Sequence, residues 1–122
     1  DPRVVVLEKT NIRYLNRSAL PDDVQIATID ASFISLKLIL PCVKALLPET
    51  HEVIALIKPQ FEVGKGKVGK GGVVRSAAEH ARVIDEIEKA AAATGYRSRG
   101  IVESPLLGPK GNKEFLLYLD MS

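Results

Sequence analysis

The chain has 122 residues, of which 46% are hydrophobic and 26% are charged, as is ordinary for one globular domain. No apolar run approaches the about 18 residues that a membrane span needs. The single cysteine, Cys42, excludes an intrachain disulfide and suits a reducing compartment, so we expect a cytoplasmic protein. A net charge of +2 is too small to indicate nucleic-acid binding by itself.

The first half of the chain predicts three strands and one helix. Arg3–Glu8 is a short β-branched run and is expected to form a buried strand. Val24–Asp30 is a second strand, with a carboxylate at its carboxyl end. Apolar residues at helical spacing predict an amphipathic helix over Ser35–Leu47, in which Pro41 implies a kink or a delayed start. Glu52–Lys58 is the third strand.

The second half predicts a long helix followed by two strands. The helix covers about Ser76–Thr94: its first residue is a suitable N-cap, Glu79 follows as in a capping box, and Gly95 is a typical stop. Ser98–Ser104 and Glu114–Asp120 are the strands, separated by a turn-rich segment. Alternating strands and helices indicate a mostly parallel α/β sheet, and the short final connection indicates an antiparallel last strand.

Open α/β sheets bind ligands beyond the carboxyl ends of their strands. The predicted strands end at Glu8, Asp30 and Lys58. Together with Glu114, which begins the last strand, Asp30 and Lys58 form a plausible acid–base cluster, because neighbouring charges tune a lysine toward proton transfer. The alternative is that each is a solvated charge at a strand end.

The glycine-rich run from Leu56 to Val74 resembles two nucleotide-binding motifs but satisfies neither. Its G-x-G-x-x-G pattern does not follow directly on a strand, as a dinucleotide fingerprint would. Its near match to a phosphate-binding loop has Gly71 where a Ser or Thr hydroxyl is needed for magnesium. No metal site is predicted.

Four basic residues crowd the glycine loop of this run and the position directly after it, namely Lys65, Lys67, Lys70 and Arg75. A basic glycine loop is suited to contact RNA phosphates, to which Lys and Arg supply salt-sensitive affinity. A flexible, solvated glycine loop without a ligand is the alternative.

Four motifs in order resemble one family. They are D-x-S-F-I-S-L at Asp30–Leu36, IKPQFE at Ile57–Glu62, VGKGGVV at Val68–Val74 and GPKGNKEFLL at Gly108–Leu117. Their order and spacing are similar to those of TlyA-type proteins, which are FtsJ-like ribosomal RNA 2′-O-methyltransferases often labelled hemolysin A. The resemblance covers essentially the whole chain.

The resemblance implies methyl transfer from S-adenosylmethionine to a ribose 2′-hydroxyl, with ribosomal RNA or ribosomal subunits as partners. It implies a partial Rossmann-like methyltransferase fold in which the first two strands are missing. Residues 1–122 would then be a single truncated methyltransferase domain, without the family's N-terminal RNA-binding domain and cofactor glycine loop. We therefore expect the isolated chain to be inactive.

The resemblance also implies site residues. Asp30, Lys58 and Glu114 match three members of the family's Lys–Asp–Lys–Glu tetrad, and the first lysine has no counterpart here. Thr10 and Asn11 follow the first strand, where this fold class touches the cofactor's adenosine.

Four further residues have lesser expected roles. Ser32 and Phe33 join Asp30 as expected cofactor contacts, with a core position as the alternative for the phenyl ring. Asn112 is expected to shape its turn or to meet RNA, and Glu62 to close the loop.

Two other functions are alternatives to a methyltransferase. One is a non-catalytic RNA-binding module, which the basic loop favours. The other is a cytolysin, as the label hemolysin A suggests, although no membrane segment is visible in the sequence. The Val24–Asp30 strand is expected to expose an apolar edge, so we predict self-association through that edge.

Overall fold

The computed structural model describes residues 26–30, 34–48, 50–64 and 72–121. The predicted strand Arg3–Glu8 lies outside these residues. The described chain contains four strands and two helices: β1 Ile26–Ile29, α1 Leu36–Leu46, β2 Glu52–Ile57, α2 Ala77–Thr94, β3 Tyr96–Glu103 and β4 Phe115–Met121. Two short 3-10 turns, Pro59–Phe61 and Pro109–Gly111, follow β2 and precede β4.

The four strands form one sheet in the order β1-β2-β4-β3. β1 and β2 pair in parallel, whereas β4 is antiparallel to both β2 and β3. Three described strands therefore run in one direction, and the last strand of the chain runs against them between two of them. This arrangement confirms the predicted α/β sheet with an antiparallel final strand.

Helix α1 begins at its serine cap and continues through its proline. The Ser35 hydroxyl accepts a hydrogen bond from the Lys37 backbone N–H at 3.0 Å, as expected of an N-cap. Pro41 lies inside the helix, which begins at Leu36, so the alternative of a delayed start was wrong. Pro48 follows the end of the helix, where it cannot continue the pattern.

Helix α2 has the predicted limits because both of its caps form. The Ser76 hydroxyl accepts from the Glu79 N–H at 3.3 Å, and Gly95 adopts a left-handed conformation with φ 103°. This glycine reverses the chain within one residue. Strand β3 therefore starts at Tyr96, two residues before the predicted start at Ser98.

Both helices pack on one face of the sheet, where the core lies. Alternate residues of β2 and β4 point toward α1 and α2, as the period of a strand requires. The fully buried members of this core include Ile39, Leu40, Val53, Ile57, Val83, Ile87, Leu117 and Leu119. None of the helices in the described part of the chain is long and apolar enough to cross a membrane.

Candidate active site

Three charged residues lie at one edge of the sheet. Asp30 directly follows β1, Lys58 directly follows β2, and Glu114 directly precedes β4. Because β1 and β2 are parallel, their carboxyl ends meet at the same edge. Because β4 is antiparallel to β2, with Phe115 opposite Ile57, its first residue lies at that edge too.

The lysine and the aspartate form an ion pair. The Lys58 Nζ lies 2.6 Å from Asp30 Oδ1. The Lys58 side chain is 12% exposed, whereas that of Asp30 is 68% exposed. The ammonium group therefore reaches the edge from within the protein, and the carboxylate meets it from the solvent side. A short, charge-assisted contact of this kind fixes the direction of the ammonium group.

Glu114 is held by a neighbour of Lys58. Only 6% of Glu114 is exposed, and its Oε2 accepts a hydrogen bond from Gln60 Nε2 at 3.0 Å. Gln60 belongs to the 3-10 turn that follows Lys58, so one short segment contacts both halves of the site. The Gln60 Oε1 is buried and has no hydrogen-bond partner among the described residues. Sequence reasoning missed Gln60, for which the IKPQFE motif was the available signal.

Gly108 makes room for the Glu114 carboxylate. A Cβ atom built on Gly108 would overlap Glu114 Oε2, so a side chain here and the observed carboxylate position exclude each other. The Gly108 N–H also donates to the Asn112 carbonyl at 2.7 Å, which closes the turn before β4. Gly108 therefore leaves space for the Glu114 carboxylate and also forms part of the turn.

Asn112 joins this turn to the end of the glycine-rich run. Its side-chain oxygen accepts from the Val74 N–H at 2.9 Å, and its amide nitrogen donates to the Gly72 carbonyl at 3.0 Å. Asn112 is only 2% exposed; its bond from the Val74 N–H is buried, and its bond to the Gly72 carbonyl is partly buried. Of the two expected roles, the structure supports the shaping of the turn, because both ends of the amide are occupied by backbone groups.

Glu62 caps helix α1 from a distance in sequence. Its two carboxylate oxygens accept from the Ser35 hydroxyl at 2.6 Å and from the Leu36 N–H at 2.9 Å. Burial raises the pKa of Glu62, and these two hydrogen bonds oppose part of that rise. The residue therefore holds the 3-10 turn after Lys58 against the start of α1. That contact agrees with the expectation that Glu62 closes the loop.

Of the remaining predicted site residues, one lies in the part of the chain that the structure describes and seven lie outside it. Arg75 is described, and it is exposed at the rim of a cleft beside the turn that precedes β4. The others lie outside the described residues: Thr10, Asn11, Ser32, Phe33, Lys65, Lys67 and Lys70. In the described part of the chain, no group of three or more His, Cys, Asp or Glu residues could hold a metal ion.

Comparison with known proteins identifies the kind of domain. The family model described as FtsJ-like methyltransferase matches residues 1–121. The Bacillus subtilis (strain 168) protein named "Putative rRNA methyltransferase YqxC" is 48% identical over 120 residues, which are 98% of this chain and 43% of that protein. The 16S/23S rRNA (cytidine-2′-O)-methyltransferase TlyA of Mycobacterium tuberculosis (strain ATCC 25618 / H37Rv) is 45% identical over 119 residues, 98% of this chain and 44% of that protein.

A solved structure supports the same assignment. The protein described as "Putative hemolysin from Streptococcus thermophilus" superposes on the whole chain with a TM-score of 0.90 at 38% identity, and the match covers 44% of that protein. The chain thus spans less than half the length of these relatives. The family match covers nearly all of the chain, and the sheet order described above agrees with the predicted methyltransferase fold. The chain belongs to the FtsJ-like methyltransferase family.

Proposed function

We propose that the full-length protein carrying this chain transfers a methyl group from S-adenosylmethionine to a ribose 2′-hydroxyl of ribosomal RNA. The observation that carries the proposal is the meeting of Asp30, Lys58 and Glu114 at one sheet edge. A chain of the FtsJ-like family with these three groups at the ligand-binding edge carries three of the four charged groups that the resemblance implies for such a transfer. The name of the Mycobacterium tuberculosis relative, a cytidine-2′-O-methyltransferase, supports the choice of the ribose oxygen.

One described residue, Asp30, has chemistry that suits the cofactor. Asp30 presents a carboxylate that is 68% exposed at the carboxyl end of β1. An exposed carboxylate at that edge suits a ligand with a cationic sulfonium and a cationic amino group. Thr10, Asn11, Ser32 and Phe33 remain proposed contacts. When bound, S-adenosylmethionine supplies an electrophilic methyl carbon.

In this proposal Lys58 acts on the substrate hydroxyl. A neutral 2′-hydroxyl is a weak nucleophile, and its proton must leave as the oxygen attacks. As an ammonium group Lys58 donates a hydrogen bond to that oxygen, and as the neutral amine it takes the proton and becomes the ammonium that pairs with Asp30. An ammonium group has three N–H donors, so its ion pair with Asp30 is compatible with a further acceptor. A fixed orientation of the reacting groups supplies further acceleration.

Glu114 stabilises the positive charge of the site. Its carboxylate is nearly buried and is fixed by Gln60. Fixed negative charge near the lysine stabilises the cationic state that follows proton transfer from the hydroxyl.

The proposal extends to partners and location. Ribosomal RNA or a ribosomal subunit is the substrate, which implies a cytoplasmic protein. The chain is also proposed to associate through the outer edge of β1. In the described part of the chain, β1 is the last strand at that side of the sheet. Light scattering of the isolated chain tests the association, and a monodisperse monomer would contradict it.

The experiment that tests the function uses the full-length protein. Transfer of labelled methyl from S-adenosylmethionine to isolated ribosomal subunits is measured for the wild type, Lys58→Ala and Lys89→Ala. Lys89 is the matched control because it is an exposed lysine of α2, paired with Asp85 at 2.9 Å. We expect transfer by the wild type and the control and at least about a 10²-fold loss in Lys58→Ala. Equal transfer by all three proteins would refute the role of Lys58, and no transfer by the wild type to either subunit would refute the function.

A further inference from the structure

A cleft with three cationic side chains lies beside the candidate active site. Arg75, Lys110 and Lys113 line it, together with His80 and the backbone around Val74. Its volume is about 210 Å³. A water molecule takes up about 30 Å³, so the cleft has room for a phosphate group and several waters. No carboxylate of the described residues lines it.

Two chain segments that are distant in sequence build this cleft. One is the end of the glycine-rich run, and the other is the turn before β4. The Asn112 side chain joins them through Val74 and Gly72, and it is itself buried. His80 adds a second tie, because its Nε2 donates to the Val74 carbonyl at 2.8 Å. The walls are therefore fixed by buried hydrogen bonds rather than by the cationic side chains themselves.

Lys110 crosses from one wall to the other. Its Nζ lies 3.4 Å from the position that a Cβ on Gly72 would take, so the ammonium group lies close to the Gly72 backbone on the other wall. Lys110 also has a left-handed backbone, with φ 60°, which is costly for a residue with a side chain. Lys113 keeps only a long contact with the exposed Glu103 carboxylate, at 3.9 Å, which is a weak competitor for an anion.

We propose that this cleft binds a backbone phosphate of the substrate RNA next to the nucleotide that is methylated. Three cations at a site with no carboxylate among its described lining residues suit a phosphodiester, for which Lys and Arg are the usual partners. Lys113 directly precedes Glu114, so a phosphate in the cleft lies beside the sheet edge with the catalytic groups. The cleft fixes the RNA backbone while the edge acts on one ribose. The inference rests on the proposed function and adds Lys110 and Lys113 to the RNA-binding residues.

The test measures RNA affinity against salt for the full-length protein. The probe is a fluorescent single-stranded ribosomal RNA fragment, and the variant is Lys110→Asn with Lys113→Gln. Asparagine is chosen because it tolerates the left-handed backbone. The control is the double variant Lys44→Ala with Lys89→Ala, which removes two positive charges near the opposite ends of the strands. Lys44 lies there, with its Nζ 5.2 Å from the ring centroid of Tyr96, the first residue of β3.

Each lost phosphate contact lowers the slope of log affinity against log salt by about 0.7 for single-stranded RNA. We expect the cleft variant to show a slope smaller by about this amount and the control to keep the wild-type slope. An unchanged slope in the cleft variant, an equal fall in the control, or no RNA binding by the wild type would each overturn the proposal.

Methyl transfer by the same proteins separates the two proposals. A wild type that methylates RNA, with no change of slope in the cleft variant, would refute the phosphate site alone. A smaller slope confined to the cleft variant, with no methyl transfer by the wild type, would refute the proposed function and leave the cleft as an RNA-binding site.

Discussion

The Lys58 ammonium lies 2.6 Å from the Asp30 carboxylate, although the two residues belong to different strands. The pair forms because β1 and β2 are parallel neighbours whose carboxyl ends meet. Its two side chains differ in exposure, with the lysine largely buried and the aspartate open to solvent. The pair therefore combines a fixed nitrogen with an accessible oxygen, which suits the proposed transfer from a cofactor to a hydroxyl group.

Asp30→Asn in the full-length protein is expected to reduce methyl transfer by at least about 10²-fold, because the amide no longer orients the lysine by charge. The melting temperature is expected to change little, since pairs that involve an exposed carboxylate contribute at most about 1 kcal/mol. Asp85→Asn is the matched control, because it removes the carboxylate of the exposed Asp85–Lys89 pair. Equal activity of the two variants would contradict the role of Asp30.

Gly108→Ala is expected to displace the Glu114 carboxylate, because the new methyl group would occupy the space of Oε2. The backbone of Gly108 is not left-handed, and the clash is with the end of a side chain, so stability should fall little. Methyl transfer should fall about 10-fold or more. Gly100→Ala is the control, because nothing lies within 4 Å of a Cβ there. A Gly108→Ala protein with wild-type activity would show that the position of the carboxylate does not matter.

Asn112→Ala is expected to destabilise the protein by about 2–4 kcal/mol, because it takes away the side-chain partners of the Val74 N–H and the Gly72 carbonyl. Asn112→Asp keeps an acceptor for Val74 and loses the donor to Gly72, so its loss should be smaller. Urea unfolding measures both, and hydrogen exchange at Val74 reports the local effect. Ser98→Ala, which removes an exposed bond to Glu88, should cost less than about 1 kcal/mol. Losses as small as this in Asn112→Ala would contradict the assigned role.

Glu62 predicts a specific dependence of stability on pH. Burial raises the pKa of Glu62 above its ordinary 4.5, so in the window just above pH 4.5 the folded state binds more protons at this site than the unfolded state. The contribution of Glu62 to the free energy of unfolding therefore falls as the pH rises through that window. The free energy of unfolding of the wild type minus that of Glu62→Gln should be largest below pH 4.5 and smaller near neutral pH. Glu103→Gln, at an exposed position, is the control, and a Glu62 difference independent of pH would contradict the prediction.

The local patterns of the sequence predicted the elements well, because caps and strand ends depend on near neighbours. Ser76 and Gly95 set the limits of α2 through contacts within a few residues. The edge positions of Asp30 and Lys58 followed from the parallel arrangement of the strands that they end.

The sequence could not predict contacts that depend on tertiary packing. The bond from Val74 to Asn112 spans 38 positions, and that from Leu36 to Glu62 spans 26. Lys110 was missed because the charge pattern directed attention to the glycine-rich run, whereas the cleft is formed when that run meets the turn before β4. Such pairs leave no periodic signal, since nothing along the chain fixes which distant loop a side chain will meet.

The most direct test of the central claim identifies the methylated atom. RNA methylated by the full-length protein is cleaved with alkali, which requires a free 2′-oxygen as the internal nucleophile. We expect the labelled methyl group to remain in an alkali-resistant dinucleotide, with at least about 10²-fold less of it from Lys58→Ala and as much from Lys89→Ala as from the wild type. Label recovered on a base in alkali-released mononucleotides would contradict the account.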